Sequence, residues 1–215
     1  MTGEYVHHRI RTQPRAWQAV SDALAAAGRD FEIGGGRLYG TWRSQIGRPR
    51  DELNVITSWP SGFDGQRLSD CLSVNGDIVD HQCWPMSPTL RPESDMPPGR
   101  QGNYAFRLFR TSEAKWDEFL QLCADAWPGF ESSYDDCQVI GLWRYDVPED
   151  GIAHSLLLTR RPDLASWERT KLPQGAIEQD VRRKLSRRYD LCDSTYVFTT
   201  TLLTATDHED RARWT

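Results

Sequence analysis

Apolar positions along the chain switch between a two-residue and a helical spacing, and the order of switching occurs twice. YVHHRIR (5–11) and YAFRLFR (104–110) are short, aromatic and branched, which predicts a strand in each. Past Pro14, Trp17, Val20, Leu24 and Ala27 recur at helical spacing. Past Glu113, Trp116, Phe119, Leu120, Cys123 and Trp127 do the same. Gly34-Gly35-Gly36 precedes a strand rather than opening a helix, so it reads as a turn and not as a phosphate cradle. RLYGTWRS (37–44) and QVIGLWRY (138–145) are the next strands. Polar loops join them to ELNVITSW (52–59) and HSLLLTR (154–160), giving a hairpin in each half. Ile177, Val181, Leu185 and Arg188 or Tyr189 mark a second helix in the later half, with a weaker counterpart around 64–74. DIVDHQCW (77–84) and STYVFTTTLL (194–203) are the last strands. The order is β-α-β-β-α-β, twice.

The residues repeat as well as the pattern. Displacing the chain by 99 positions lays 5–32 over 104–131 with eight of 28 residues identical, among them Tyr5/Tyr104, Arg11/Arg110, Trp17/Trp116 and Phe31/Phe130. After a two-residue shift, Gly40, Trp42 and Arg43 meet Gly141, Trp143 and Arg144. This predicts an α+β chain of two tandem ferredoxin-like repeats, 1–92 and 104–215, with a linker at 93–103. The proline-rich segment 85–103 ends the first repeat. A single unit of this kind leaves one sheet face uncovered, so the two repeats are expected to face each other as a pseudo-dimeric α+β barrel.

GTWRSQIGRPRDELNVITSW (40–59) resembles the NIPSNAP pattern: a Gly-x-Trp strand, a short loop containing Ile-Gly, then Leu-Asn and a closing Trp. YAFRLF (104–109) is similar to that family's first strand, where an Arg stands fourth; Arg107 holds that place in the second repeat and His8 in the first. The second hairpin keeps Gly141 and Trp143 but lacks the Asn and the closing Trp. The resemblance implies the wider dimeric α+β barrel superfamily, whose members include cofactor-free monooxygenases, cyclases, isomerases and haem enzymes. Function therefore has to be argued from the site.

Charge and cysteine content narrow the classes. A net charge of −5 argues against broad phosphate-backbone binding, so no nucleic-acid partner is expected. No apolar run approaches the roughly 18 residues of a membrane span, and the N-terminus lacks a signal-peptide core, so the expected setting is cytoplasmic. Cys71, Cys83, Cys123, Cys137 and Cys192 are odd in number and scattered, which reads as reduced thiols.

Five histidines remain as candidate chemistry. His7 and His8 are neighbours on a strand and point to opposite faces, so they cannot share a metal. No His-x-His or His-x₃-His pair exists, and no metal site is expected. His8 and Arg107 stand at equivalent positions, and His81 alternates with Val79 and Cys83, an environment that keeps an imidazole neutral. His8, Arg107 and His81 are the expected catalytic residues. Trp42 and Trp143, each two residues from a glycine that leaves room on its face, are expected to bind substrate together with Arg43, Arg144 and Tyr104. His154 and His208 are expected at the solvated periphery. The function expected is a small-molecule enzyme working by acid–base chemistry without a cofactor: an isomerase, cyclase or lyase acting on a carbonyl or aromatic metabolite. A cofactor-free monooxygenase is one alternative. A ligand- or haem-binding scaffold is the other, and haem would need a histidine free on a cavity wall. The partner is a small molecule, and the chain is a pseudo-symmetric monomer or a homodimer.

Overall fold

The computed structural model describes residues 4–33, 35–60 and 75–207. The expected helix around 64–74, together with Cys71 and His208, lies outside them. The strands are β1 (Glu4–Thr12), β2 (Arg37–Ile46), β3 (Glu52–Trp59), β4 (Ile78–Arg91), β5 (Asn103–Ser112), β6 (Gln138–Tyr145), β7 (Ile152–Arg161) and β8 (Cys192–Leu202). The helices are α1 (Trp17–Ile33), α2 (Trp116–Ser133), α3 (Leu164–Arg169) and α4 (Ala176–Asp190). Among the described residues, the second half shows the whole β-α-β-β-α-β order, with the short α3 between β7 and α4, and the first half shows its four strands and first helix. Asp163 starts α3 by accepting a 2.7 Å hydrogen bond from the Ser166 N–H.

The chain divides into two units. Unit 1 comprises the described parts of Met1–Ser87, Ser94–Gln101 and Thr199–Thr215; unit 2 comprises Pro88–Glu93 and Gly102–Phe198. Their sheets follow one plan. Unit 1 runs β4-β1-β3-β2 and unit 2 runs β8-β5-β7-β6, the same order in repeat numbering. Each sheet then gains the end of one more strand. Thr199–Leu202 of β8 pair antiparallel with Trp42–Ile46 in unit 1, and the last residues of β4 adjoin β6 in unit 2. Strand β4 thus runs on through Pro85 and Pro88 to Arg91 rather than stopping where the prolines begin. Pro85 takes a ladder position opposite Val6, and Thr89 beyond it donates its hydroxyl to the Leu142 carbonyl at 2.8 Å. Even an irregularity is repeated: the β2–β3 register slips between Leu38 and Gly40, and the β6–β7 register between Val139 and Gly141.

One face of each sheet packs on its helices. In unit 1, Val6, Ile10, Leu53, Val55 and Trp59 meet Trp17, Val20 and Leu24 of α1. In unit 2, Phe109, Val139, Leu142 and Leu157 meet Trp116, Phe119, Cys123 and Trp127 of α2, with Val181 of α4. A fully buried ring such as Phe119 contributes on the order of 1.5–3 kcal/mol through burial, and truncating it to alanine would cost about 3–5 kcal/mol. On α4, Glu178, Val181 and Arg188 are the buried positions, while Ile177 and Tyr189, expected on the inner face, are exposed.

Candidate functional site

Strand register decides which side chains can meet. His8 lies opposite Val55 on β3 and Cys83 on β4, Ile10 opposite Leu53 and His81, and Val6 opposite Thr57. Residues directly opposite, or two apart on a strand, share a face. His8, Thr57, His81 and Cys83 therefore lie on the face where Val6 and Ile10 pack against α1. The structure brings together two of the three expected catalytic residues. His8 Nδ1 is 3.2 Å from His81 Nε2, and the rings stack with centroids 5.4 Å apart. His8 Nε2 is 3.1 Å from Thr57 Oγ1, which accepts a 2.6 Å hydrogen bond from the Trp59 indole N–H.

Burial grades outward across this chain of contacts. His8 is only 2% exposed, His81 is half-buried and Cys83 is exposed. Burial, then the neighbouring His81 and His7, holds the His8 imidazole well below its ordinary range. Burial also lowers His81, opposed by the carboxylate of Asp80. Both rings are thus neutral at pH 7. Two tautomeric arrangements satisfy these contacts, and in one of them His8 Nε2–H donates to Thr57, His81 Nε2–H donates to His8 Nδ1, and His81 Nδ1 keeps a lone pair. The ligand atoms of His8, His81 and Cys83 all lie within 4.8 Å of one another, so they are also a set that can hold a metal ion. No local spacing in the sequence announces that set, because it is assembled across β1 and β4.

His7 faces the other way. Its Nε2 is 3.0 Å from Asn54 Oδ1, its ring lies 5.6 Å from that of Trp84, and burial lowers its pKa to about 4. Trp42 is on this same face, since it stands opposite Asn54. Trp42, Trp143 and Tyr104 are completely buried. The room expected beside Gly40 and Gly141 is filled by the tryptophans themselves: a Cβ on Gly40 would lie 2.4 Å from the Trp42 ring, and one on Gly141 2.3 Å from the Trp143 ring. The expected substrate wall is therefore packed core on the face opposite the histidine pair.

Arg107 holds in unit 2 the helix-facing position that His8 holds in unit 1, opposite Leu157. Its cationic neighbours are Arg188 and Arg161, and no carboxylate among the described residues acts on it; burial, then those two cations, lowers its pKa to about 10, opposed by Tyr189 and Cys192. Arg188, one of the two residues expected to end the inner face of this helix, is itself buried against the Phe109 and Phe119 rings, with its Nε unpartnered among the described residues. Arg43 and Arg144 have structural partners. Arg43 lies 3.8 Å over the Trp17 ring and donates to the Arg50 carbonyl, while Arg144 pairs with Glu113 beside Trp116. His154 pairs with Glu149 at 2.5 Å. Unit 2 also has an open surface cavity of about 370 Å³, between Ser133–Cys137 and Ala165–Arg169, that includes none of the expected residues.

No family model matches the chain, and no curated protein does. Solved structures do. An anthrone oxidase-like protein is 13% identical with a TM-score of 0.59, covering 94% of this chain and 92% of its own. A putative monooxygenase from Lactobacillus acidophilus NCFM is 11% identical at 0.57, covering 97% and 100%. A mutant chlorite dismutase from Candidatus Nitrospira defluvii is 8% identical at 0.58, covering 94% and 92%. At these identities the likeness is one of fold: the chain has the mixed α+β, antiparallel-sheet fold of the dimeric α+β barrel proteins. Among the described residues no helix is long and apolar enough to cross a membrane.

Proposed function

We propose that the chain is a small-molecule enzyme that removes a proton from carbon beside a carbonyl, or from a phenol, with His81 as the base and His8 as its positioning partner. The observation that carries this reading is the 3.2 Å contact between two buried or half-buried neutral imidazoles, anchored through Thr57 to Trp59. A base has to be neutral at working pH, held in one tautomer, and reachable. His81 is the more exposed ring, and its Nδ1 retains the lone pair when Nε2–H is donated inward. On taking the proton, the His81 imidazolium shares Nε2–H with His8 and gains from Asp80 nearby. Return of that proton to another atom of the substrate gives an isomer. Ring closure or loss of a leaving group gives a cyclase or lyase outcome.

Cofactor-free oxygenation is the second reading. Two of the matching structures are an anthrone oxidase-like protein and a putative monooxygenase, and such chemistry would begin with the same proton removal from an electron-rich substrate. The NIPSNAP-like hairpin at 40–59 belongs to this proposal too, as the element that supplies Thr57 and Trp59.

Exchange of substrate C–H for deuterium tests the reading without knowledge of the product. Purified protein in D₂O with a panel of small ketones and phenolic ketones should label one of them, and His81→Ala should slow labelling by ~10²–10⁴ with an unchanged melting temperature. Equal labelling by the variant would overturn it.

A further inference from the structure

The contact that orients the proposed base has a second chemical use. We propose that His8 Nδ1, His81 Nε2 and Cys83 Sγ form a three-ligand site for a zinc-class divalent ion, with the fourth position open to solvent or substrate. The inference rests on the preceding reading only in placing the working site here.

The geometry is the first argument. Two nitrogens bound to one tetrahedral zinc at about 2.0–2.1 Å stand about 3.3 Å apart. His8 Nδ1 and His81 Nε2 are 3.2 Å apart. A thiolate at about 2.3 Å from the same ion lies roughly 3.6 Å from each nitrogen. Cys83 Sγ belongs to a set whose members are all within 4.8 Å, so a rotation about its own side chain by about an ångström completes the site. The strand pairing makes this easy: Cys83 is directly opposite His8, and His81 is two residues away on the same strand and face.

The surroundings are the second argument. A metal-bound imidazole characteristically donates its other ring N–H to a fixed acceptor, which sets its tautomer. Thr57 Oγ1 is 3.1 Å from His8 Nε2 and is itself fixed by Trp59. Two imidazoles and a thiol are borderline-to-soft donors, which suit zinc, cobalt or copper and not magnesium or calcium. Cys83 is exposed, so an ion has an entry path and a water has a coordination position. Binding moves the His81 proton from Nε2 to Nδ1 and expels the Cys83 thiol proton, so one proton reaches solvent for each ion bound. An ion here takes the place of the hydrogen bond between the rings, and acid–base work passes to its bound water, whose pKa falls to ~7 on zinc.

Cobalt(II) is the probe. Metal-free protein should take up one Co²⁺ per chain, with thiolate-to-cobalt absorption in the near ultraviolet that added Zn²⁺ removes. Cys83→Ser should abolish that absorption, His81→Ala should abolish stoichiometric uptake, and Thr57→Val should weaken binding by about 10–100-fold while keeping all three ligands. Because His8 is buried, its replacement is read only beside circular dichroism of the same sample. No uptake by the native protein, or an absorption band that survives Cys83→Ser, would overturn the proposal. Deuterium exchange by chelated protein that takes up no cobalt would overturn this inference and leave the imidazole base standing. Stoichiometric cobalt with no exchange in either state would do the reverse.

Discussion

The Trp143 ring lies across Gly141, so closely that a Cβ on the glycine would come within 2.3 Å of it, and Trp42 repeats the arrangement over Gly40. Both rings are fully buried. Gly141→Ala should therefore destabilise the fold by about 1–3 kcal/mol, the usual range for overpacking. In urea titrations, part of that loss should return when Trp143→Leu is added. A Gly141→Ala protein as stable as the native one would refute the packing account.

His7 and Asn54 form a buried polar pair whose loss is asymmetric. His7→Leu alone strands Asn54 Oδ1, for a cost of about 1–3 kcal/mol beyond packing. His7→Leu with Asn54→Leu should cost less than the sum of the single changes. Strict additivity of the two would show that the contact contributes nothing.

The same histidine gives a pH dependence of definite sign. Its folded pKa is about 4 against 6.5 when free, so between these values the unfolded chain binds the proton that the folded chain refuses. Above pH 6.5 the group has no effect. As pH falls from 6.5 to about 4, its contribution is a loss approaching roughly 3 kcal/mol. His8 acts in the same direction. Denaturant midpoints should fall through this window, and His7→Leu should flatten the slope. An unchanged slope in that variant would contradict a neutral buried His7.

Arg107 is a cation with no acid beside it among the described residues and two other arginines near it. Removing it relieves repulsion and leaves no partner stranded, so Arg107→Met should keep or raise the melting temperature, most visibly at low salt where screening is weakest. A fall of several degrees at low salt would mean that an unseen partner compensates the charge.

The repeat was legible because buried faces keep their spacing: the strand order, the paired Gly-x-Trp motifs and the long helices were all written in Trp17/Trp116, Gly40/Gly141 and their neighbours. His8 and His81 were picked out singly, one by its equivalence to Arg107 and the other by its apolar flanks. Their contact was hidden, because a separation of 73 residues becomes 3.2 Å only once β1 and β4 are in register. Alternation within β2 and β6 correctly set Trp42 and Arg43 on opposite faces, and likewise Trp143 and Arg144. It could not say which face was closed by packing. A glycine beside a tryptophan looks like space in a sequence, and here the ring occupies it. Periodicity left Arg188 and Tyr189 as alternatives at the end of the α4 inner face, and only the packing shows that Arg188 is the buried one.

The division of β4 and β8 between the two units bears on the ancestry of the chain. A polypeptide of one repeat alone, ending near residue 103, would leave Trp42–Ile46 of β2 without Leu202–Thr199, and so with an open, aggregation-prone edge. The strand end that completes each sheet is therefore encoded in the other half of the sequence, so a single half does not specify a complete sheet. Freed from having to work twice, the equivalent fourth positions of β1 and β5 could drift into different chemistries, a histidine in one copy and an arginine in the other.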